Sequence, residues 1–373
     1  MLNTVFGLLV LSLAFATIAP SFNLRHWTIR APEFPRIQYA VLAGVLLLVL
    51  LVSRQFLGAP SAWWSVFLVP TLCFQLYRIW PFTPLHAVEV AQARDEHTNG
   101  RKARVSVLSS NVLMENREAH RLIELVHSTR PDILITLETD TWWQEQLDAA
   151  LTDWPHRVAC PQDNLYGMHL YSQLPLASVQ VDYRVQDGIP SVTTTLDIGP
   201  NKQTIQLIAA HPKPPAPGEN TRSTERDVEL LLIADEIATL DLPVIMAGDL
   251  NDTAWSRTTR LFLQVSGLLD PRIGRSPVNT FHADYRLLRW PLDHVFVSPH
   301  FRLVRFQRMS HIGSDHFPVF AELELETLTP GSELKRSEDI DRELELDTRD
   351  TAVANDLENS LMQDSGETTH PAA

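Results

Sequence analysis

Pro243-Val244-Ile245-Met246-Ala247-Gly248-Asp249-Leu250-Asn251 is the stretch on which the reading of this chain turns. Pro243 to Ala247 is an unbroken apolar run, as expected of a strand buried on both faces. It ends in an acid and an amide. Asp249 and Asn251 alternate along the chain, so they face one side if the strand continues. A carboxylate and an amide side by side can hold an attacking water and a phosphoryl oxygen. An Asx turn is the competing reading of the same residues, and Asp252 reads as a turn or cap residue.

The pattern recurs on both sides. Val105 to Ser110 ends at Asn111, Ile133 to Leu137 at Glu138, and Gln206 to Ala210 at His211. Further on come Pro291-Leu292-Asp293-His294 and Gly313-Ser314-Asp315-His316. Hydrolysis of a phosphate ester needs hard oxygen ligands for a divalent metal, an imidazole positioned by a carboxylate, and donors for the phosphoryl oxygens. This set supplies all three. Asp293 and His316 fit as the carboxylate–imidazole pair.

From Arg104 to Glu326 the chain resembles the endonuclease/exonuclease/phosphatase superfamily, which includes pancreatic-type deoxyribonucleases, apurinic endonucleases, neutral sphingomyelinases and inositol polyphosphate phosphatases. The resemblance rests on GDLN, LDH and GSDH in that order. It implies two sheets packed face to face with helices outside and the active site at one end of the strands. It also implies Glu138 as principal metal ligand, with Asn111 and Asp315 at the metal, and His211 at the phosphate or leaving group. Catalysis would fall to His211, Asp249, Asn251, Asp293 and His316, with either Asp249 or His316 activating water. Mg²⁺ or Mn²⁺ is the expected ion, since the set is oxygen-rich and offers no cysteine cluster. Some nucleases of the family carry a second acid two residues after the asparagine; here Leu113 stands in that place, which argues against a second metal. Thr280 resembles a structural threonine of the family. Lys213 and Arg222 are weaker candidates for substrate phosphate. The loop Tyr285-Arg286-Leu287-Leu288-Arg289-Trp290 could meet substrate or membrane, or simply pack.

The rest of the pattern agrees with a mixed architecture. Ala119, Leu122, Ile123 and Val126 recur at helical spacing and Pro131 closes that helix. Trp142 to Leu151 and Val228 to Ile237 also read as helices. Val192 to Leu196, Thr204 to Ala209, Val295 to Ser298 and Phe317 to Leu323 read as strands. The expected fold is α/β, a four-layer two-sheet sandwich preceded by three transmembrane helices.

Those three are apolar stretches, Leu2 to Pro20, Ile37 to Val52 and Ala62 to Trp80, flanked by Trp27, Trp63, Trp64, Tyr77 and Trp80. A cleaved signal peptide for the first, or buried core helices for all three, are the alternatives. With three spans, Arg25, Arg30, Arg36, Arg94, Arg101, Lys102 and Arg104 share the catalytic side and Arg54 stands alone opposite, so the positive-inside rule predicts a cytoplasmic catalytic domain of a multi-pass cell-membrane protein. The expected organisation is a membrane region at 1–80, a polar linker at 81–103, the catalytic domain at 104–330 and an acidic disordered tail at 331–373.

Charge bounds the partners. The net charge of −14 divides into about +4, −10 and −8 over residues 1–103, 104–330 and 331–373. No segment carries the basic footprint of a nucleic-acid binder. Cys73 and Cys160 are too far apart to suggest a disulfide framework. The chain therefore reads as a hydrolase of phosphate esters, most of all a phosphodiesterase, using no nucleotide cofactor. Its substrate would be nucleic acid or a phospholipid, with a lipid or inositol phosphate phosphodiesterase or phosphatase as the alternative to a nuclease, and its other partner the lipid bilayer. A membrane scaffold with a degenerate hydrolase domain is the non-enzymatic alternative.

Overall fold

The structure, a computed structural model, describes residues 2–22, 24–56, 62–93, 103–326, 340–342 and 344–352. Four helices come first: α1 (Leu2–Ile18), the single turn α2 (Trp27–Arg30), α3 (Arg36–Phe56) and α4 (Ser65–Ile79). Two of the three apolar stretches, Asn3–Ser21 and Arg36–Ser53, are long and apolar enough to cross a membrane. The expectation of three is corrected here. The third forms only a 15-residue α-helix between 3₁₀ turns, about 22 Å at 1.5 Å per residue against a hydrocarbon core of about 30 Å.

The helices share a core of Phe6, Val10, Ala43, Leu46, Leu50 and Leu68. Trp64, at the start of α4, donates to Asn3 near the start of α1. Gln75, near the end of α4, donates to Thr17 of α1 and accepts from Arg36, the first residue of α3. Hence α4 runs parallel to α1 and back along α3, returning the chain to the catalytic domain.

Eleven strands follow among the described residues: β1 (Arg104–Asn111), β2 (Ile133–Leu137), β3 (His156–Cys160), β4 (Met168–Ser172), β5 (Leu176–Asp182), β6 (Ser191–Ile198), β7 (Gln203–Ala209), β8 (Val244–Asp249), β9 (Asp293–Val297), β10 (Phe301–Arg308) and β11 (Val319–Leu325). The helices among them are α5 (Ala119–Thr129), α6 (Thr141–Ala150), α7 (Thr224–Ala238) and α8 (Arg257–Ser266). One sheet runs β10-β11-β1-β2-β4-β3, the other β5-β6-β7-β8-β9.

The two-residue period of each strand builds the layers. Ile245 and Ala247 of β8 face the other sheet, while Val244 and Met246 face α7 and α8. Val105, Val107, Ile133 and Ile135 likewise face inward, while Leu108 and Leu134 pack under α5 and α6. The result is the four-layer α/β sandwich, each fully buried aliphatic side chain contributing about 1.5–3 kcal/mol.

Two connections differ from expectation. The start of the 81–103 linker is packed: Val90 is buried, Gln92 bridges Leu303, and the Glu89 carboxylate accepts the Asp270 amide. In the acidic tail, residues 344–352 are helical. Leu344 enters the α7–α8 core, and Asp341, Asp347 and Arg349 pair with Arg257, Arg25 and Asp235. Net acidity hid this, because the anchors are single residues meeting partners remote in sequence. Arg94, Arg101, Lys102, the side chain of Arg54, and the rest of the linker and tail lie outside the described residues.

Candidate active site

Strand direction brings the polar ends together. β1 and β2 are parallel, with Asn111 opposite Leu137, so Asn111 and Glu138 leave the first sheet side by side. β7 and β8 are parallel, which carries His211 and Asp249 to the same end of the second sheet. β9 is antiparallel to β8 with Asp293 opposite Asp249, and β11 is antiparallel to β1, so its approach segment, Gly313 to His316, arrives beside Asn111.

Part of the backbone strain lies here. Glu138 (φ 60°), Asn251 (φ 52°) and Leu113 (φ 58°) lie in the left-handed region, at roughly 1–2 kcal/mol for an ordinary residue and least for Asn. Gly248 is required by close approach: at φ 151° a Cβ would lie 2.0 Å from the Ala210 carbonyl oxygen. That approach sets His211 beside Asp249.

The side chains form one network. Asn111 Nδ2 donates to Glu138 Oε1 at 2.7 Å and to Asp249 Oδ2 at 3.1 Å, while its own oxygen accepts the Leu113 amide. His316 Nδ1 meets Asp293 Oδ2 at 2.8 Å, and its Nε2 lies 3.5 Å from Asp249 Oδ2. His211 Nε2 approaches the same oxygen at 3.8 Å. Asn251 donates its backbone amide to Asp249 and its side chain to the Pro212 carbonyl. Thr280 accepts the Leu292 and Asp293 amides, and Phe281 packs its ring 4.8 Å from that of His316. Ser314 ties the last motif to the first by donating to the Asn111 carbonyl.

Burial divides the titrations. It pushes the Glu138 carboxyl up to about 7, against the Asn111 hydrogen bond and the charge on His316. It raises Asp249 as well, and drives His211 down to about 4, so that ring is neutral. Burial opposes charge on His316 too, but Asp293 and Asp249 outweigh it and carry the imidazole to about 10. Two neighbouring carboxylates thus stabilise one imidazolium.

All eight residues singled out in the sequence lie at this end of the sandwich, but not equivalently. Asp249, Asp293 and His316 are buried, with ligand atoms within 4.8 Å of one another, and could hold a metal. Asp315 is partly exposed and near enough to Glu138 for its charge to raise that carboxyl. Asn111 turns its amide nitrogen, not its oxygen, toward the carboxylates. As placed, it acts as an orienting donor to Glu138 and Asp249.

Lys213 and Arg222 make no side-chain contact with this network among the contacts described; the Arg222 backbone bridges to His26 of the N-terminal segment. Sequence reasoning missed Arg226, buried on α7, which donates to the Asn251 carbonyl at 2.8 Å and pairs with Asp227 and Asp252. It also missed Tyr166, which packs on His211 and donates to Glu219, and Arg272, which fixes His294 from Asp270. The adjacent charges Arg226-Asp227 at a helix start were the one local signal. Tyr166 and Arg272 carry none.

The donors suit a hard divalent ion: carboxylates dominate, one Asp293 oxygen is buried without a partner, and a nearby cation would hold Glu138 ionised. No protein with a curated function matches the sequence. Among solved structures the chain is similar to an endonuclease/exonuclease/phosphatase from Beutenbergia cavernae DSM 12333, at 19% identity over 61% of this chain and 72% of that one, with TM-score 0.48. It is also similar to the human Nocturnin catalytic domain with bound sulfate anion (15% identity, 61% and 96% covered, TM-score 0.49). A third is D. rerio TDP2 complexed with single strand DNA product (14%, 59% and 98%, 0.47). A profile of the Endonuclease/Exonuclease/phosphatase family matches residues 108–316, more than half of the chain. On that match, the chain belongs to the Endonuclease/Exonuclease/phosphatase family and is by that membership a hydrolase of phosphoric esters.

Proposed function

We propose that this protein is a membrane-anchored, divalent-metal-dependent phosphodiesterase. The observation that carries the reading is the convergence of Glu138, Asp249 and the Asp293–His316 pair, drawn from both sheets, on one buried polar end. Glu138 with Asp315 would hold Mg²⁺ or Mn²⁺, oriented by Asn111. When bound, the ion supplies positive charge to the phosphoryl oxygens as the transition state forms.

The remaining steps belong to this chain. Asp249, raised by burial, takes the proton of the attacking water. His316, kept as imidazolium between Asp293 and Asp249, donates to a phosphoryl oxygen from Nε2. Neutral His211 and Asn251 donate to the oxygens that gain charge. The test is turnover of bis(p-nitrophenyl) phosphate by the full-length protein with chelator, then with Mg²⁺ or Mn²⁺. Undiminished turnover in chelator would refute metal dependence.

The helix bundle supports the anchor. Outside it exposes Leu8, Phe15, Val41, Leu48, Val66 and Val69, while its interior buries Thr17, Gln75 and Arg36 in mutual hydrogen bonds. Apolar surface outside and polar contacts within suit a lipid solvent, not water. Arg25, Arg30 and Arg36 stand near the bundle ends that meet the catalytic domain, favouring a cytoplasmic site. Release of the protein by alkaline carbonate would refute the anchor. Alkaline phosphatase activity from a fusion after Ala373 would refute the topology.

A further inference from the structure

We propose that the loop Tyr285–Leu288 seats on the surface of a phospholipid bilayer and holds the catalytic end over the headgroup layer, so that the substrate is a phosphate ester of a membrane lipid. This rests on the reading of the site and anchor above, and names their substrate class.

The loop is joined to both. At its base the Ala283 amide donates to the Asp315 carbonyl at 2.6 Å, and Phe281 pairs with Trp290 while its ring lies tilted 4.8 Å from that of His316. On its other side, Gln38 in the first turn of α3 donates to the Leu287 carbonyl at 2.8 Å, and Phe34 meets Trp290 edge-on. That helix, over Arg36–Ser53, is one of the two long and apolar enough to cross a membrane. The loop therefore lies level with the end of a candidate span and one strand pairing away from the catalytic imidazole.

Its tip is apolar and open. Leu287 is 84% exposed, Tyr285 58% and Leu288 50%. Two leucines at a loop tip gain nothing from water. Phe22, Leu24 and Leu85 are also exposed where the chain leaves α1 and α4 toward the catalytic domain. Arg286, also exposed, adds a cation where anionic headgroups lie. Amphipathic Tyr285 suits the same layer. The acidic catalytic domain, poorly suited to a polyanion, has no such objection to a single headgroup phosphate brought in by the bilayer.

The test uses the full-length protein reconstituted into phosphatidylethanolamine–phosphatidylglycerol–cardiolipin vesicles. With Cys73 and Cys160 replaced by serine, an environment-sensitive fluorophore is attached at Leu287→Cys or, as control, at Thr152→Cys, an exposed site beside Trp154 at the opposite end of β2. Doxyl-labelled lipid is expected to quench the first label and not the second. In parallel, Leu287→Asp/Leu288→Asp is compared with wild type on bis(p-nitrophenyl) phosphate and on the vesicles. Soluble turnover should stay within about twofold while headgroup release from vesicles falls at least tenfold. Absent quenching overturns the seat; absent quenching with cross-linking between copies through Leu287→Cys assigns the loop to a dimer instead. Soluble turnover, or cleavage of an oligonucleotide, without release from vesicles overturns the lipid substrate. No hydrolysis of any probe refutes the phosphodiesterase reading, while the quenching result still decides the loop.

Discussion

The catalytic end and the helix bundle bury polar groups for opposite purposes. At the catalytic end, Asp249 and Asp293 flank one imidazole, Glu138 is raised toward neutrality, and left-handed backbone is tolerated at Glu138 and Asn251. Acidic groups outnumber the one imidazolium there. In the bundle, Thr17, Gln75 and Arg36 answer one another, and Glu33 lies between Arg36 and Arg78. The comparison teaches that burial alone does not mark function. What marks it is burial with unmet charge on a strained backbone.

Catalytic-end substitutions should break the comparison most. Asp249→Asn is expected to lower kcat on bis(p-nitrophenyl) phosphate by roughly 10²–10⁴-fold with an unchanged melting temperature. Asp293→Asn and His316→Ala should each lose similar power and the double variant little more, as for groups acting as one unit. Losses that multiply in that cycle would separate the pair.

The bundle's buried ion pair comes next. Glu33→Gln leaves Arg36 and Arg78 without their carboxylate at the junction with Trp255, whose indole donates to the Glu33 carbonyl. Removing one partner of a buried pair costs about 3–5 kcal/mol. Thermal melts in detergent should drop accordingly, while turnover per folded molecule holds. A melt within one degree of wild type would mean that this junction carries no stability.

Two pH experiments sharpen the contrast. Because Glu138 titrates near 7, Mn²⁺ affinity should fall about tenfold per pH unit below that point, and Glu138→Gln should bind weakly without the slope. A pH-independent affinity would remove Glu138 from the ligand set. Glu229 on α7 is a structural counterpart: burial pushes it up to about 7 against Arg184, with one oxygen unpartnered. The folded state keeps a proton that the unfolded chain releases from about pH 4 upward, so stability is whole below that range and is lost as pH rises through about 7. Glu229→Gln should therefore gain up to about 3 kcal/mol at pH 8 and nothing at pH 4. Equal melts at pH 8 would show that the buried carboxyl is relieved by some other contact.

The smallest effect should come from within the bundle. Gln75→Leu removes two hydrogen bonds, and interhelical bonds in membranes average about 0.6 kcal/mol. A much larger loss of stability would argue that the bundle folds in water.

What the sequence determined by itself was the local pattern. Apolar runs of strand length with polar residues beside their ends named the strands β1, β2, β7, β8, β9 and β11 and the eight side chains next to them, because an apolar run and its polar flank are written in consecutive residues. Only the tertiary structure decided how those ends serve one another. The Asn111 amide turns toward Glu138 because the Leu113 amide occupies its oxygen. Arg226 reaches the Asn251 carbonyl across 25 residues, and residues 344–352 dock through Leu344 and the ion pairs of Asp347 and Arg349. The third apolar stretch divided into a short α-helix and 3₁₀ turns. Each depends on which remote group satisfies a buried donor or acceptor. That choice is made by geometry after the chain has folded, and leaves no period in the sequence.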